Sequence, residues 1–188
     1  MMNIEKTLCS LIVISAVSAC SPDADVVETE AAVESQAAAF SELSAVLHSA
    51  SGSEVEGVVL FSNTDEGVRV GAQISGLTPM SSHGFHIHEF GDCRETDASS
   101  AGGHFNPDGL PHGAPDAERR HDGDLGNLVT NGAGVAQTNV VDPELSFAGP
   151  DSILGRAVVI HAGADDLESQ PSGDAGARIA CGVIGVAS

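Results

Sequence analysis

Residues 43–188 read as an all-β domain, an eight-stranded antiparallel barrel or sandwich with two long loops, on three observations. Short runs rich in Val, Ile and Leu are separated by Gly, Asn, Asp and Pro at the intervals of strands and turns. No stretch of this region sustains an apolar period of 3.6 residues, so helices are not expected. Glycine is abundant, at 22 of 188 residues, and tyrosine and tryptophan are absent, a composition that suits many tight turns.

In chain order the candidate strands are 45–48, 55–61 and 68–74, each closed by a Gly-, Ser- or Asn-containing turn. The fourth, 84–90, carries His86 and His88, which alternate with Ile87, so both imidazoles project from one face while Ile87 points to the other. Such a pair suits one metal ion, and equally suits the wet face of a strand. Strands 124–129, 134–140, 156–161 and 179–186 complete the set. Two intervals, 92–123 and 162–177, have no strand signature. Loops of that length inside a compact domain are uncommon unless they are held in place or serve a function.

The N-terminus has a different character. Lys6, the apolar run "LCSLIVISAV" and small residues up to Cys20 form a processing signal over 1–19, too short in its apolar part to cross a bilayer. The sequence "VSAC" ending at Cys20 resembles the lipobox of bacterial lipoproteins, which implies lipidation of Cys20 and, with Ser21 following it, sorting to the outer membrane; ordinary secretory cleavage nearby is the alternative. Both readings export the protein to the periplasm or cell envelope. Residues 20–42 are acidic and alanine-rich with few large apolar side chains, and read as a solvated tether.

The formal net charge of −20 excludes nucleic acid as an expected partner, because a phosphate backbone must be neutralised by Lys and Arg. Of the four cysteines, Cys9 lies in the signal and Cys20 at its end. Cys93 and Cys181 remain, in an oxidising compartment that allows a disulfide. A zinc-thiolate reading of that pair is weaker, since neither has a second cysteine nearby.

The first long loop holds His104, His112 and His121, with Asp124 three residues further on. Three imidazoles and one carboxylate are the count and ligand types of a closed tetrahedral zinc site, which could pin a Gly- and Pro-rich loop that cannot order itself by burying apolar surface. His161 closes the strand "RAVVIH" on the face expected to carry His86 and His88.

The segments "HGFHIHEFGDC", "AGGHFNP", "RRHDGDLGN", "GRAVVIHAGADDL" and "GARIACGVIGVA" resemble the signature segments of copper/zinc superoxide dismutases across residues 43–188. The resemblance implies a Greek-key barrel, copper bound by His86, His88, His104 and His161, and zinc bound by His104, His112, His121 and Asp124, with the His104 imidazolate bridging the two ions. It also implies that Arg178 holds the anion beside copper, that Asp165 orients His86 and His112, and that Cys93 pairs with Cys181. His83 matches a framework histidine that binds no metal, His48 is expected on the surface, and Gly149 and Gly155 are expected in turns. Cys93 lies farther upstream of His104 than in the common eukaryotic pattern, and loop 162–177 is short and lacks lysine, so attraction of substrate would rest on Arg178.

The implied activity is dismutation of the superoxide anion to dioxygen and hydrogen peroxide, protecting the cell envelope. The implied partners are superoxide, a membrane reached through the anchor at Cys20, and a second copy of the chain in a homodimer. An envelope copper-binding or copper-delivery domain of the same fold is the alternative function.

Overall fold

A computed structural model describes residues 40–187, so the expected signal, Cys20 and nearly all of the tether lie outside the described residues. Eight strands form: β1 (Glu42–Ser49), β2 (Glu56–Thr64), β3 (Gly67–Ser75), β4 (Ser82–His88), β5 (Asp124–Val129), β6 (Ala136–Asp142), β7 (Ala157–His161) and β8 (Arg178–Val186). They are hydrogen-bonded in the order β5-β4-β7-β8-β1-β2-β3-β6, all antiparallel. A bridge between Thr130 and Ala136 brings the two edges together, so the sheet is a nearly closed barrel. The order is that of a Greek key: β3 to β4 and β6 to β7 cross the barrel instead of joining neighbours.

The eight strands stand where the sequence places them, with β5 matching at both ends and no end shifted by more than three residues. β1 begins at Glu42 rather than Ala45 because β2 and β8 flank it on both sides and supply partners along its whole length. Phe40, in the stretch expected to be tether, packs against the core. β4 ends at His88 instead of Phe90, since the amides of Glu89 and Phe90 turn to the carbonyls of Gly103 and Ala101 in the long loop. A single turn of 3-10 helix, Ser99–Ala101, interrupts that loop.

Alternation fills the interior. Val68, Val70, Ala72 and Ile74 of β3 point inward while Arg69 and Gln73 face solvent. β4 and β7 are buried on both faces. Inside, Phe85 and Ile87 meet Val158 and Ile160; outside, Ala157 and Val159 pack against Ala98 and Ala101 of the long loop and the Cys93–Cys181 disulfide. The outer faces of β4 and β7 are thus roofed by the two long loops, and the histidines stand under that roof.

Candidate metal centre

The main chain sets the positions first. Ile87 donates to the carbonyl of Gly123 at 2.9 Å and accepts from the amide of Phe105 at 2.8 Å, while Gly123 donates to Phe105 at 2.9 Å. This three-way pairing lays His104 beside His88 and Asp124 at the start of β5, across from His86. A Cβ at Gly123 would overlap the Ile87 carbonyl, so only glycine permits this approach.

Two groups of four result, and both are buried. His86, His88, His104 and His161 form one; His104, His112, His121 and Asp124 form the other, and within each group the potential ligand atoms lie within 4.8 Å of one another. His104 belongs to both. Its ring centroid is 4.0 Å from that of His86 and 5.4 Å from that of His112.

The nitrogens of His86, His88, His112 and His161 that face away from these two centres each have a partner, and this fixes their tautomers. His88 Nδ1–H donates to Gly102 O at 2.9 Å and His161 Nδ1–H to Gly176 O at 3.0 Å. Asp165 accepts from His86 Nε2–H through Oδ2 at 2.7 Å and from His112 Nε2–H through Oδ1 at 2.9 Å. What remains is a set of buried ring nitrogens without a hydrogen-bond partner: His86 Nδ1, His88 Nε2, His104 Nε2, His112 Nδ1, His121 Nδ1 and His161 Nε2. Six orphaned acceptors in one interior would be costly to bury without a Lewis acid to receive them.

The second group has its own signature. Asp124 Oδ1 lies 2.7 Å from His104 Nδ1, 2.9 Å from His112 Nδ1 and 3.2 Å from His121 Nδ1. The nitrogens of His112 and His121 are close to that oxygen yet lack hydrogen-bond geometry toward it. Four ligands about 2.0–2.1 Å from a tetrahedral zinc stand about 3.3 Å apart, near this spacing. The residues present therefore fit zinc at His104, His112, His121 and Asp124, and an ion that favours imidazole nitrogen, such as copper, at His86, His88, His104 and His161.

Electrostatics keep the ligands ready. Burial pushes the pKa of His104 down to about 4 and of His161 to about 3, and it lowers His88 as well, so these rings stay neutral and able to donate a lone pair. Burial alone would raise Asp124, but the hydrogen bond from His104 and the close approach of His121 outweigh it and hold the carboxyl well below its usual range. At Asp165 burial is likewise overcome, first by His86, and the pKa sits at about 2. His112 is raised: burial opposes this, while Asp165 and Asp124 prevail.

Arg178 opens β8 beside His161. Its Nη1 donates to Ala98 O at 2.7 Å and its Nη2 to Gly102 O at 2.6 Å, the same carbonyl that orients His88. The guanidinium is thereby held at the His88 side of the first group. His83 is buried between His161 O and the Ser81 hydroxyl, each 2.8 Å from a ring nitrogen, and takes no part in either group. His48 is exposed, and Gly149 and Gly155 adopt the positive φ of turn glycines. Cys93 and Cys181 form the disulfide.

Three supports were not legible in the sequence. Buried Arg120 pairs with both oxygens of Asp142 at 2.7 and 2.8 Å and donates to the carbonyls of His121 and Asp122, tying the loop to the end of β6. Asn127 on β5 clamps the backbone of Asp165 with bonds of 2.8 and 2.9 Å. Gln170 grips the backbone of His112. Each partner is far away in sequence; the only local hint was the Arg119-Arg120 pair in an otherwise acidic chain.

The model of one protein family, copper/zinc superoxide dismutase (SODC), matches residues 55–184. Among solved structures, the crystal structure of the clock protein EA4 is similar at 41% sequence identity, with a TM-score of 0.71, over 78% of this chain and 95% of that one.

Proposed function

Since the chain belongs to the copper/zinc superoxide dismutase family, we propose that it disproportionates superoxide at a copper ion held by His86, His88, His104 and His161, with zinc held by His104, His112, His121 and Asp124. Two superoxide anions and two protons give one dioxygen and one hydrogen peroxide. Bound copper supplies the electron relay, since zinc has no redox chemistry. The chain supplies the rest. Arg178, fixed by two carbonyls, attracts and orients the anion. His104 can carry a proton at Nε2 and offer it to the reduced oxygen species. Asp165 fixes His86 and His112 in the tautomers that leave Nδ1 free.

The observation that carries this reading is His104, whose two nitrogens face the two ligand groups. The test is metal content measured together with superoxide consumption: one copper and one zinc per chain with rapid consumption are expected. Both metals bound without consumption would favour an envelope copper-binding or copper-delivery domain. The name of the similar clock protein EA4 is not that of a dismutase, which keeps that second reading in view.

The same proposal places the protein in the periplasm or cell envelope, tethered through a lipid on Cys20, on the support of the "VSAC" sequence. Cys20→Ala should move it from the membrane fraction to the soluble fraction with unchanged specific activity; equal membrane association would remove the anchor.

A further inference from the structure

His112 has four polar atoms, and three are bonded to the loop between β7 and β8. Its amide donates to Gln170 Oε1 at 2.8 Å, its carbonyl accepts from Gln170 Nε2 at 2.9 Å, and its Nε2 donates to Asp165 Oδ1 at 2.9 Å. Only Nδ1 is left, facing the zinc ligands. Among the described residues, no backbone hydrogen bond to its own loop fixes His112.

Gln170 is an exposed residue, and an exposed glutamine ordinarily keeps its side chain solvated and free in rotamer. Here both donors and one acceptor position of the carboxamide are used: besides its two bonds to His112, Nε2 donates to Glu168 O at 3.1 Å. The turn that presents it is held by Asp166, which accepts from the amides of Glu168 and Ser169 at 3.0 and 2.8 Å, and by Gly173, which donates to Ser169 O at 2.7 Å. Gly173 also lies against the Asp165 carboxylate, where any Cβ would overlap Oδ1. The segment that orients the ring of His112 and the residue that grips its backbone are therefore one rigid turn.

We propose that Gln170 is a positioning residue for the zinc site, a side-chain clamp that replaces the missing backbone pairing at His112 and delivers its Nδ1 to the metal. The clamp makes the loop that ends at Arg178 a support of the zinc loop, so zinc affinity depends on a residue that touches neither metal nor substrate. This rests on the reading of His112 as a zinc ligand.

The test compares wild type with Gln170→Ala and Gln170→Met, the latter filling similar space without a hydrogen bond. Zinc affinity is read by chelator competition, and the geometry of the site by the visible spectrum of cobalt(II) placed there. Both variants should lose about 10- to 100-fold in zinc affinity, the range typical of groups that orient a ligand. Their cobalt spectra should lose intensity, while copper affinity and the thermal midpoint of the metal-free protein stay near wild type. Zinc affinity within twofold of wild type in either variant overturns the proposal, as does an equal loss of copper and zinc, which would indicate general loosening. A wild type that binds no zinc would instead refute the reading of His112, and is scored before the variants are compared.

Discussion

Three of the four imidazoles of the proposed copper site stand on strands, His86 and His88 on β4 and His161 on β7, whereas all three imidazoles of the proposed zinc site come from the loop between β4 and β5. The strand-borne rings inherit their positions from the barrel ladder and the core beneath it: Phe85 and Ile87 are locked among Val158 and Ile160, so the alternate side chains have nowhere else to point. Of the loop-borne rings, His104 borrows a bridge to His88, and His112 and His121 lie in no strand. His112 is held by Asp165 and Gln170 reaching from another loop, and His121 by its neighbour Arg120, which is itself anchored to Asp142 at the end of β6. A strand can preform a metal site, while a loop must be tied into one, and a loop rich in Gly and Pro needs its metal as part of the tie.

The sharpest way to break this contrast is at the residue common to both halves. His104→Ala should bring superoxide consumption down to the background of the buffer and remove zinc, and a variant that kept full activity with both metals bound would sink the assignment. His112→Ala, on the loop alone, should lose zinc yet retain copper and a measurable part of the activity. If His112→Ala lost copper as completely as zinc, the two halves would not be built independently.

The next effect concerns how the loop is tied. Arg120 and Asp142 are both buried, and removing one partner of such a pair costs about 3–5 kcal/mol because the other charge is left unpaired. Arg120→Ala should lower the stability of the metal-free protein by about that amount in a urea titration and expel zinc before copper. A loss below about 1 kcal/mol, the value of an ordinary surface ion pair, would mean that the loop is anchored elsewhere.

The smallest effect separates local from global electrostatics on the copper side. The net charge of −20 repels superoxide, while a guanidinium about 6 Å from an anion contributes roughly 0.7–3 kcal/mol of attraction for dielectrics of about 80 to 20. Distant carboxylates act almost unscreened at low ionic strength and are screened over about 8 Å at physiological salt. The wild-type rate should therefore rise or stay flat as salt is added, and Arg178→Glu should be slower with a steeper rise. A steady fall of the wild-type rate with salt would require a positive funnel that the described surface does not provide.

The strands and the strand-borne histidines could be read from the chain because their signal is local: period-two alternation, turn residues at the ends, and His86 and His88 flanking one isoleucine. Strand ends were less legible, since the last pairs depend on which neighbour lies alongside, as Glu89 and Phe90 show by turning to the long loop. The second-tier contacts were the least legible. Asp165 could be named only through a family resemblance, and Gln170, Asn127 and Arg120 not even so, because a glutamine, asparagine or arginine in a polar loop looks the same whether it faces water or grips a backbone 58 residues away.

The sequence by itself determined the eight strands, the shared face of His86 and His88 and the inventory of imidazoles, since each follows from residue type and spacing along a few neighbouring positions. Only the tertiary structure decided which nitrogens are left without a hydrogen bond, that Nδ1 of His104, His112 and His121 converges on one oxygen of Asp124, and that His112 is held by a turn of the loop between β7 and β8. The physical reason is range. Alternation and turn chemistry act over two to five residues, whereas the tautomer and aim of an imidazole are fixed by whichever distant carbonyl, carboxylate or amide the folded chain brings within about 3 Å.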